Sequence, residues 1–340
     1  MRLRLLPTLI LTSWFTLSAM GDEPRESQIR DAIQRCLPWL EKGAAGASAH
    51  NKCFTCHNHG LPMMALTEAK ERQFKVSVDS LQNQVTHTSD FLDRGVENYR
   101  KGRGQGGRVL TAGYALWALS STGHSPNETT KAVADYLLGD QADRDHWKKS
   151  GRRPPSDGNE FTVTYVAVKG LSDYGRPNSE AQQTRLRRAR EWAEKTSPQD
   201  TEDSVFRLRT LLLTKSEKQI LRQAVDKLLS EQRKDGGWGQ TDDMDSDAYA
   251  TGTVLTTLLE SGVGPEQTAI QKGISFLLKS QQENGTWFVK TRANGFQEYY
   301  ESGFPHGEDQ FISIAASSWA VRALLRTLPA SETTDSTTPD

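Results

Sequence analysis

The segment NKCFTCHNHG, residues 51–60, contains a C-x-x-C-H motif formed by Cys53, Cys56 and His57. Two thiols three positions apart can form thioethers to the two vinyl groups of haem, and the imidazole that follows can bind the iron. The chain has only 3 cysteines and 7 histidines in 340 residues, so chance rarely produces this order. The motif predicts covalent haem c, with His57 as the proximal ligand of the iron.

The same residues leave two other interpretations open. Cys53 and Cys56 could form a redox disulfide, although the chain lacks the βαβ pattern of thioredoxin-like proteins. They could also bind zinc together with His57, His59 or His50, since Zn²⁺ takes four Cys or His ligands. No second C-x-x-C and no H-x-x-x-H completes a standard zinc site.

The motif does not identify a sixth iron ligand. Met63 and Met64 lie too close to His57 in the sequence to reach the opposite haem face, and we expect both in the core. The remaining candidates, His146, Met244 and His306, belong to other loops. A six-coordinate iron would transfer electrons, whereas an open position would permit ligand binding or peroxide chemistry.

The N-terminus has the pattern of a secretory signal. Arg2 and Arg4 precede an apolar run that ends in the small residues Ala19 and Gly21, which predicts a signal peptide at residues 1–21. We therefore expect export to the periplasm or the extracellular space. This agrees with a resemblance to c-type cytochromes, because that resemblance implies haem attachment outside the bacterial cytoplasm.

Composition narrows the classes of partner. The 42 Lys+Arg balance 43 Asp+Glu, so no basic excess indicates nucleic-acid binding. After the signal, no stretch is long and apolar enough to span a bilayer. The final residues, 329–340, lack large apolar side chains and are predicted to be a disordered tail. Cys36 lies in an amphipathic helical pattern and is predicted to be a core thiol.

A repeat runs through the chain. The segments LLSEQRKDGGWG (228–239) and LLKSQQENGTWF (277–288) share the pattern Q-x-x-x-G-x-W, and LLGDQADRDHWK (137–148) is a weaker copy. A helical pattern with one apolar stripe precedes each copy, and a more apolar helix follows it. A striped helix is peripheral and a nearly uniform apolar helix is buried. Each repeat therefore predicts a hairpin of an outer and an inner helix.

Six such pairs are present, and strand patterns are nearly absent. The outer helices are predicted near 27–42, 88–101, 127–139, 180–196, 216–231 and 265–280. The inner helices are predicted near 60–72, 108–122, 160–174, 201–213, 247–262 and 310–327. Six hairpins predict an all-α toroid, a closed ring of twelve helices, although an open superhelical stack uses the same repeat.

The repeats resemble those of the squalene-cyclase and protein-prenyltransferase superfamily, whose domains are α/α toroids. The resemblance covers most of residues 22–328 and implies a single domain of this kind. It also implies that Gln232, Trp238, Gln281 and Trp287 are structural. Gly236 and Gly285 would then form the tight turns that precede the two tryptophans.

The resemblance also implies a possible activity. Cyclases of this superfamily protonate their substrate with an aspartate of a D-x-D-D motif, in which neighbouring groups keep one acid protonated. The acidic run QTDDMDSDAY (240–249) offers Asp243, Asp245 and Asp247 as catalytic candidates, but D-x-D-D does not occur. Asp247 precedes an apolar run and is predicted to be a helix N-cap.

Two further comparisons count against these enzymes. Squalene-type cyclases use two toroid domains, and this chain has material for one. Protein prenyltransferases bind zinc through an Asp, a Cys and a His and act with a second subunit in the cytoplasm. Export and the placement of both motif cysteines in the first hairpin do not match that arrangement.

The long loop at residues 290–310 is a third candidate region. A loop of this length in a compact domain is often functional, although it can also simply cover the ring. Its candidate ligand-binding side chains are Arg292, Phe296, Glu298, Tyr299, Tyr300, Phe304 and His306.

The sequence thus predicts an exported toroid with haem c in its first loop, used for electron transfer or redox sensing with a redox partner or a small or lipid ligand. The alternative is a terpenoid-cyclase-like enzyme or a non-catalytic ligand-binding relative.

Overall fold

The computed structural model describes residues 23–294 and 298–329, and α-helices dominate this part of the chain. Two isolated β-bridges are the only strand-like pairs within it. The predicted signal peptide and residues 330–340 of the predicted tail lie outside the described residues. The twelve helices are α1 (Glu23–His50), α2 (Leu61–Glu71), α3 (Val78–Arg100), α4 (Arg108–Ser121), α5 (Glu128–Gly139), α6 (Glu160–Tyr174), α7 (Glu180–Lys195), α8 (Thr201–Leu213), α9 (Lys218–Ser230), α10 (Ala248–Glu260), α11 (Thr268–Ser280) and α12 (Gln310–Thr327).

The even-numbered helices form a closed inner ring. Each packs against the next, from α2 through α4, α6, α8 and α10 to α12, and α12 packs against α2. The odd-numbered helices lie outside them. Burial follows this division, because α9 buries only Ala224 and Leu228, whereas α10 buries every residue from Ala248 to Leu258. The predicted α/α toroid is confirmed, and the open superhelical stack is excluded.

The repeat tryptophans hold the two helices of a hairpin together. Trp238 is fully buried, and its indole N–H donates to the carbonyl of Leu228 at the end of α9 (2.8 Å). Its backbone N–H donates to the hydroxyl of Thr251 in α10 (3.0 Å). Trp287 and Trp147 make the equivalent pairs of bonds. The weaker copy of the repeat therefore folds like the two intact ones.

The repeat glutamines join one hairpin to the next. The amide of Gln232 donates to the carbonyls of Gly236 (2.9 Å) and of Ala269 in α11 (2.7 Å). Gln281 makes the same bond across the ring closure, to the carbonyl of Ala32 in α1 (2.8 Å). Gly236 has a φ of 91°, which a side chain would strain. The predicted structural role of the repeat residues is confirmed.

Two outer helices are longer than predicted. Helix α1 continues through a glycine- and alanine-rich stretch to His50. The small residues of this stretch let another segment of the chain pack closely against the helix. A Cβ atom on Gly46 would lie 1.9 Å from the carbonyl oxygen of Ser302. Helix α3 also begins earlier than predicted, after Ser77, whose hydroxyl accepts from the backbone N–H of Ser80. Its first turns are polar and were not recognised from apolar spacing.

Several predicted core residues are buried. Cys36 is fully buried, and burial raises the pKa of its thiol to about 12. Met63 and Met64 are fully buried in α2, as predicted. Among the described helices, none combines the length and apolar character needed to cross a membrane.

Candidate functional site

The C-x-x-C-H loop, residues 51–60, connects α1 to α2. It ends in a short π-helix, Cys56–Gly60, whose N-cap Thr55 accepts from the backbone N–H of Asn58. Both motif cysteines are free thiols; that of Cys53 is exposed and that of Cys56 is half-buried. The Cys56 Sγ lies 3.8 Å from the Nδ1 of His57. The motif residues therefore lie side by side between the first outer and inner helices.

Electrostatics keep His57 neutral. Burial, and after it the charge of Arg153, lowers the pKa of His57 to about 4. Burial raises the pKa of the Cys56 thiol to about 11, against the opposite effect of the Arg153 charge. A neutral imidazole is the form that binds a metal. The loop thus presents a neutral His57 beside a protonated Cys56.

The other histidines of this region have protein partners. The Nδ1 of His59 accepts from the backbone N–H of Thr55 (3.1 Å), which leaves the proton of the neutral ring on Nε2, beside the Ser48 hydroxyl (3.1 Å). His59 also stacks on His87 with ring centroids 4.4 Å apart. In residues 23–294 and 298–329, no three His, Cys, Asp or Glu side chains are grouped so as to hold a metal ion. The zinc interpretation therefore has no preformed set of ligands there.

Two of the three candidates for a sixth haem ligand, His146 and His306, have protein partners. The imidazole of His146 lies 2.6 Å from the carboxylate of Asp145 and 3.1 Å from that of Glu160. The Nε2 of His306 lies 2.8 Å from the hydroxyl of Thr286. Met244 is half-buried in the loop before α10.

The predicted rim acids occupy the start of α10 and the loop before it. Asp243 and Asp245 are exposed, and the carboxylate of Asp243 accepts from the Thr241 hydroxyl (2.7 Å). That hydrogen bond lowers the pKa of Asp243. Asp247 caps α10 by accepting from the backbone N–H of Ala250 (2.9 Å), as predicted.

The long loop before α12 packs against the C-x-x-C-H loop. The ring of Tyr300 stacks on His50 with centroids 3.9 Å apart, and its hydroxyl accepts from the amide of Asn58 (2.9 Å). The guanidinium of Arg292 donates to Gln240 in the loop before α10 (2.8 Å). Of the other predicted side chains, Phe304 is buried, Glu298 and Tyr299 are exposed, and Phe296 lies outside the described residues.

An acid that sequence reasoning missed lies at the start of α8. Glu202 is the second residue of this inner helix and is only 3% exposed. Burial, and after it the charge of Asp200, raises the pKa of Glu202 to about 8. The carboxyl group is therefore protonated at neutral pH.

The hydrogen bonds of Glu202 show which oxygen carries the proton. The hydroxyls of Thr162 in α6 and Tyr249 in α10 both lie 3.2 Å from Oε1. The other oxygen, Oε2, is buried and has no hydrogen-bond partner among the described residues. Because Oε1 accepts two bonds, the acid proton resides on Oε2. A buried O–H donor without an acceptor is costly, which is typical of a group that acts on a ligand.

A second buried hydroxyl accompanies the acid. Tyr114 in α4 is fully buried, and its hydroxyl has no hydrogen-bond partner in the described structure. Burial, followed by the charges of Cys56 and Glu202, raises the pKa of Tyr114. We call Glu202, Thr162, Tyr249 and Tyr114 the acid site. Cys56 belongs to the C-x-x-C-H loop, and because its thiol is protonated at neutral pH, it affects the pKa of Tyr114 only where the thiol ionises.

A sequence signal for this acid exists. Residues 200–203 read DTED, which has the spacing of D-x-D-D with glutamate at the third position. A search for an exact D-x-D-D match does not find this segment, because its third position is glutamate. The run also looks like an ordinary helix start, and Asp200 does cap α8 by accepting from the backbone N–H of Asp203 (2.9 Å).

Sequence comparison finds one family that resembles the part of the ring from α8 to α12. Residues 200–320 match the family described as squalene-hopene cyclase C-terminal domain, and the match begins at the acidic run. A squalene–hopene cyclase of Bradyrhizobium diazoefficiens is 30% identical over 115 residues, which are 28% of this chain and 16% of the relative. The chain therefore spans about one sixth of the length of that relative.

Solved structures extend the similarity to the whole ring. A variant of the type II terpene cyclase MstE from Scytonema, in complex with its product merosterolic acid A, has a TM-score of 0.58 and 14% identity, over 89% of this chain and 98% of that one. A protein from Actinoplanes has a TM-score of 0.51 and 12% identity, over 78% and 88%.

The MstE match corrects one expectation drawn from the sequence. Nearly all of that terpene cyclase superposes on a chain that forms one ring, so the size of a single toroid does not count against a cyclase. By its fold this chain is an α/α toroid of the kind found in type II terpene cyclases, and its residues 200–320 are similar in sequence to the squalene-hopene cyclase C-terminal domain.

Proposed function

We propose that this protein is an acid catalyst that protonates a carbon–carbon double bond of an isoprenoid ligand inside its ring, with Glu202 as the proton donor. One observation carries the proposal: Glu202 is buried and protonated at neutral pH, and its Oε2 has no hydrogen-bond partner among residues 23–294 and 298–329. The isoprenoid class is supported by the structural similarity to MstE, a variant of which was solved with geranylgeranyl dihydroxybenzoate as its substrate.

In the proposed reaction the O–H bond at Oε2 breaks as a C–H bond forms, and the alkene becomes a carbocation. The negative charge left on Glu202 is stabilised by the hydroxyls of Thr162 and Tyr249, whose bonds to Oε1 strengthen as the charge develops. Ring closure uses the remaining double bonds of the ligand. Loss of a proton to water, or capture of water, ends the reaction, and solvent reprotonates Glu202.

Aromatic side chains continue from the acid site along the inner helices. Trp117 lies 5.7 Å from Tyr114 and 5.1 Å from Tyr165, measured between ring centroids, and Tyr165 lies 5.4 Å from Phe206. The faces of aromatic rings attract cations. The guanidinium carbon of Arg209 already lies 5.4–5.8 Å from the ring centroids of Trp117, Tyr165 and Phe206, so these side chains support an apolar ligand rather than a second cation.

The test is turnover of polyprenyl substrates of different lengths, with products separated by gas chromatography and identified by mass spectrometry. We expect Glu202→Gln to reduce turnover by about 10²–10⁴-fold, the usual contribution of a positioned acid. Asp245→Asn is the comparison variant, because the carboxylate of Asp245 is exposed. If Glu202→Gln forms as much product as wild type, or if Asp245→Asn forms none, the proton donor is a residue other than Glu202.

We also propose that the C-x-x-C-H loop attaches haem c, with thioethers at Cys53 and Cys56 and His57 as the proximal ligand. The set of donors fits this group, because both thiols are free, Cys53 is exposed, and His57 is neutral. Bound haem would supply one-electron chemistry, for electron transfer to a redox partner or for sensing. The predicted signal peptide supports export to the periplasm or beyond, where haem is attached.

A haem stain of the denatured protein, produced in a host that matures c-type cytochromes, tests this second proposal. Cys53→Ala is expected to reduce the stain, and the double variant with Cys56→Ala should abolish it. A colourless wild-type protein would leave the disulfide and metal interpretations of the motif.

A further inference from the structure

Two guanidinium groups and two indoles pack together inside the ring, beyond the acid site. Arg209 follows Glu202 on α8 by about two helical turns, or roughly 10 Å. Its guanidinium carbon lies 5.4 Å from the ring centroid of Trp117 and 5.1 Å from that of Trp319. The corresponding distance from Arg322 to Trp319 is 4.7 Å. We call these four side chains, none more than 4% exposed, the guanidinium–indole cluster.

The ion pairs of this cluster leave an excess of positive charge. Arg209 pairs with Glu260 (2.8 Å), and Arg322 pairs with Glu68 (2.7 Å). Arg326 bonds to both of these carboxylates. In this network of described residues, three guanidinium groups therefore share two carboxylates. The network carries a net charge of about +1. Arg209 and Arg322 are buried, whereas Arg326, Glu68 and Glu260 keep 18–28% of their side-chain surface exposed, so water screens part of this charge.

Two donors of the cluster also lack acceptors. The Nη1 of Arg322 and the Nε1 of Trp319 are buried and have no hydrogen-bond partner among the described residues. Both groups can only donate. An unpaired buried donor is destabilising, and more so if it is charged. An acceptor bound between them would remove that cost, and an anionic acceptor would also neutralise the excess charge.

We propose that this cluster binds the carboxylate of an acidic isoprenoid ligand, whose hydrocarbon portion extends toward Glu202. The excess of one positive charge matches a monoanionic carboxylate better than a diphosphate. The aromatic rings of Tyr114, Trp117 and Trp319 connect the two ends, with centroids 5.7 Å and 6.1 Å apart. For its hydrocarbon portion, this inference rests on the proposed function.

Binding of two matched probes tests the inference. Farnesoic acid and its methyl ester share one hydrocarbon chain and differ in charge. Calorimetric titration uses the Glu202→Gln protein, so that neither probe is consumed. We expect the acid to bind at least about tenfold more tightly than the ester, because hydrogen bonds to charged groups contribute about 1.5–3 kcal/mol. Adding Arg322→Gln should remove most of this preference.

Two measures guard against misfolding of the Arg322→Gln protein: a check of its stability, and a second, milder variant, Trp319→Phe. In Arg322→Gln, Glu68 keeps its pairing with Arg326, and thermal unfolding checks that the ring is intact. Trp319→Phe removes only the indole N–H and keeps an aromatic ring. It should weaken binding of the acid severalfold and leave binding of the ester nearly unchanged.

The outcomes separate this inference from the proposed function. Equal binding of acid and ester, unaffected by Arg322→Gln in an intact protein, would overturn the cluster as a carboxylate site, even if neutral polyprenyl substrates are turned over. Tighter binding of farnesyl diphosphate than of farnesoic acid would also overturn it. Selective binding of the acid without any turnover would support the cluster and count against Glu202 as a catalyst.

Discussion

The C-x-x-C-H loop and the acid site are two regions of one ring, and they differ in how chemistry is encoded. The loop carries its reactive residues within five consecutive positions, and its first thiol is exposed. The acid site gathers Glu202, Thr162, Tyr249 and Tyr114 from four different helices, all buried. A rare motif therefore marks the first region, whereas burial is what distinguishes the second from an ordinary helix start.

The contrast also shows what determines the state of a titratable group. At the start of a helix a glutamate is ordinary, and its charge is normally favourable there. In Glu202 burial and the neighbouring Asp200 outweigh that effect and raise the pKa to about 8. The sequence thus gives the residue type, but the three-dimensional packing determines whether the carboxyl group is protonated.

The largest expected effect is the loss of covalent haem, which should depend on the C-x-x-C-H loop and not on the acid site. Cys53→Ala with Cys56→Ala should abolish covalent haem, because no thiol remains in the motif to form a thioether. Glu202→Gln should retain the full haem content per polypeptide, measured by haem stain and absorbance. Loss of haem from Glu202→Gln would instead show that the two regions assemble together.

Stability should depend on Glu202 in a defined pH window. The native state holds a proton that the unfolded chain releases between pH 4.5 and about 8, so the free energy of unfolding falls as pH rises through this range. Glu202→Gln lacks this loss and should be more stable than wild type by a few kcal/mol at pH 8, with the difference shrinking toward pH 4.5.

Urea unfolding at several pH values measures this difference. Glu128→Gln, at an exposed position on outer helix α5, is the control and should show no comparable trend. A Glu202→Gln protein that parallels wild type from pH 5 to 8 would mean that Glu202 is ionised in the fold.

Cys56 tests the boundary between the regions. With a pKa of about 11, its thiolate fraction at pH 8 is about 10⁻³, so alkylation by iodoacetamide should be roughly a hundredfold slower than for an ordinary thiol. A Cys53→Ser variant, produced in a host that does not attach haem c, isolates this reaction, and mass spectrometry follows it. Fast modification would instead show that the Cys56 thiol reacts like an exposed thiol.

The smallest expected effect is the pH dependence of turnover, and it identifies the catalytic acid most specifically. Turnover should be constant below pH 8 and fall about tenfold per pH unit above it, because only protonated Glu202 can donate. A fall that begins near pH 6 would point instead to Asp203, whose pKa burial raises to about 6. The pH dependence of the initial rate distinguishes the two acids.

Most of the fold could be predicted because the ring is built from a repeated local unit. Helix periodicity and the buried Trp238 and Trp287 are properties of short segments, and they predicted twelve helices and their inner or outer positions. The predicted end of α1, residue 42, was wrong because the helix continues through Gly43 and Gly46 to His50. At Gly46 the absence of a side chain serves close contact with Ser302, which the local sequence does not reveal.

The acid site was harder to predict because its parts are distant in sequence. The partners of Glu202 are Thr162 and Tyr249, from the hairpins on either side of its own, and neither forms a motif with it. The rim acids Asp243 and Asp245 were more visible because they cluster, yet clustering of carboxylates on a loop is the normal result of solvation. Burial distinguishes these two groups of acids.

The bond from Gln281 to Ala32 also has a consequence for how the chain is made. It joins residues 249 positions apart, so the ring cannot close until its final hairpin exists. Contacts this distant in sequence make folding slow, and an unclosed ring has two unpaired apolar edges. During synthesis and any export, the partly made chain is therefore an aggregation-prone arc that depends on chaperones or on rapid completion.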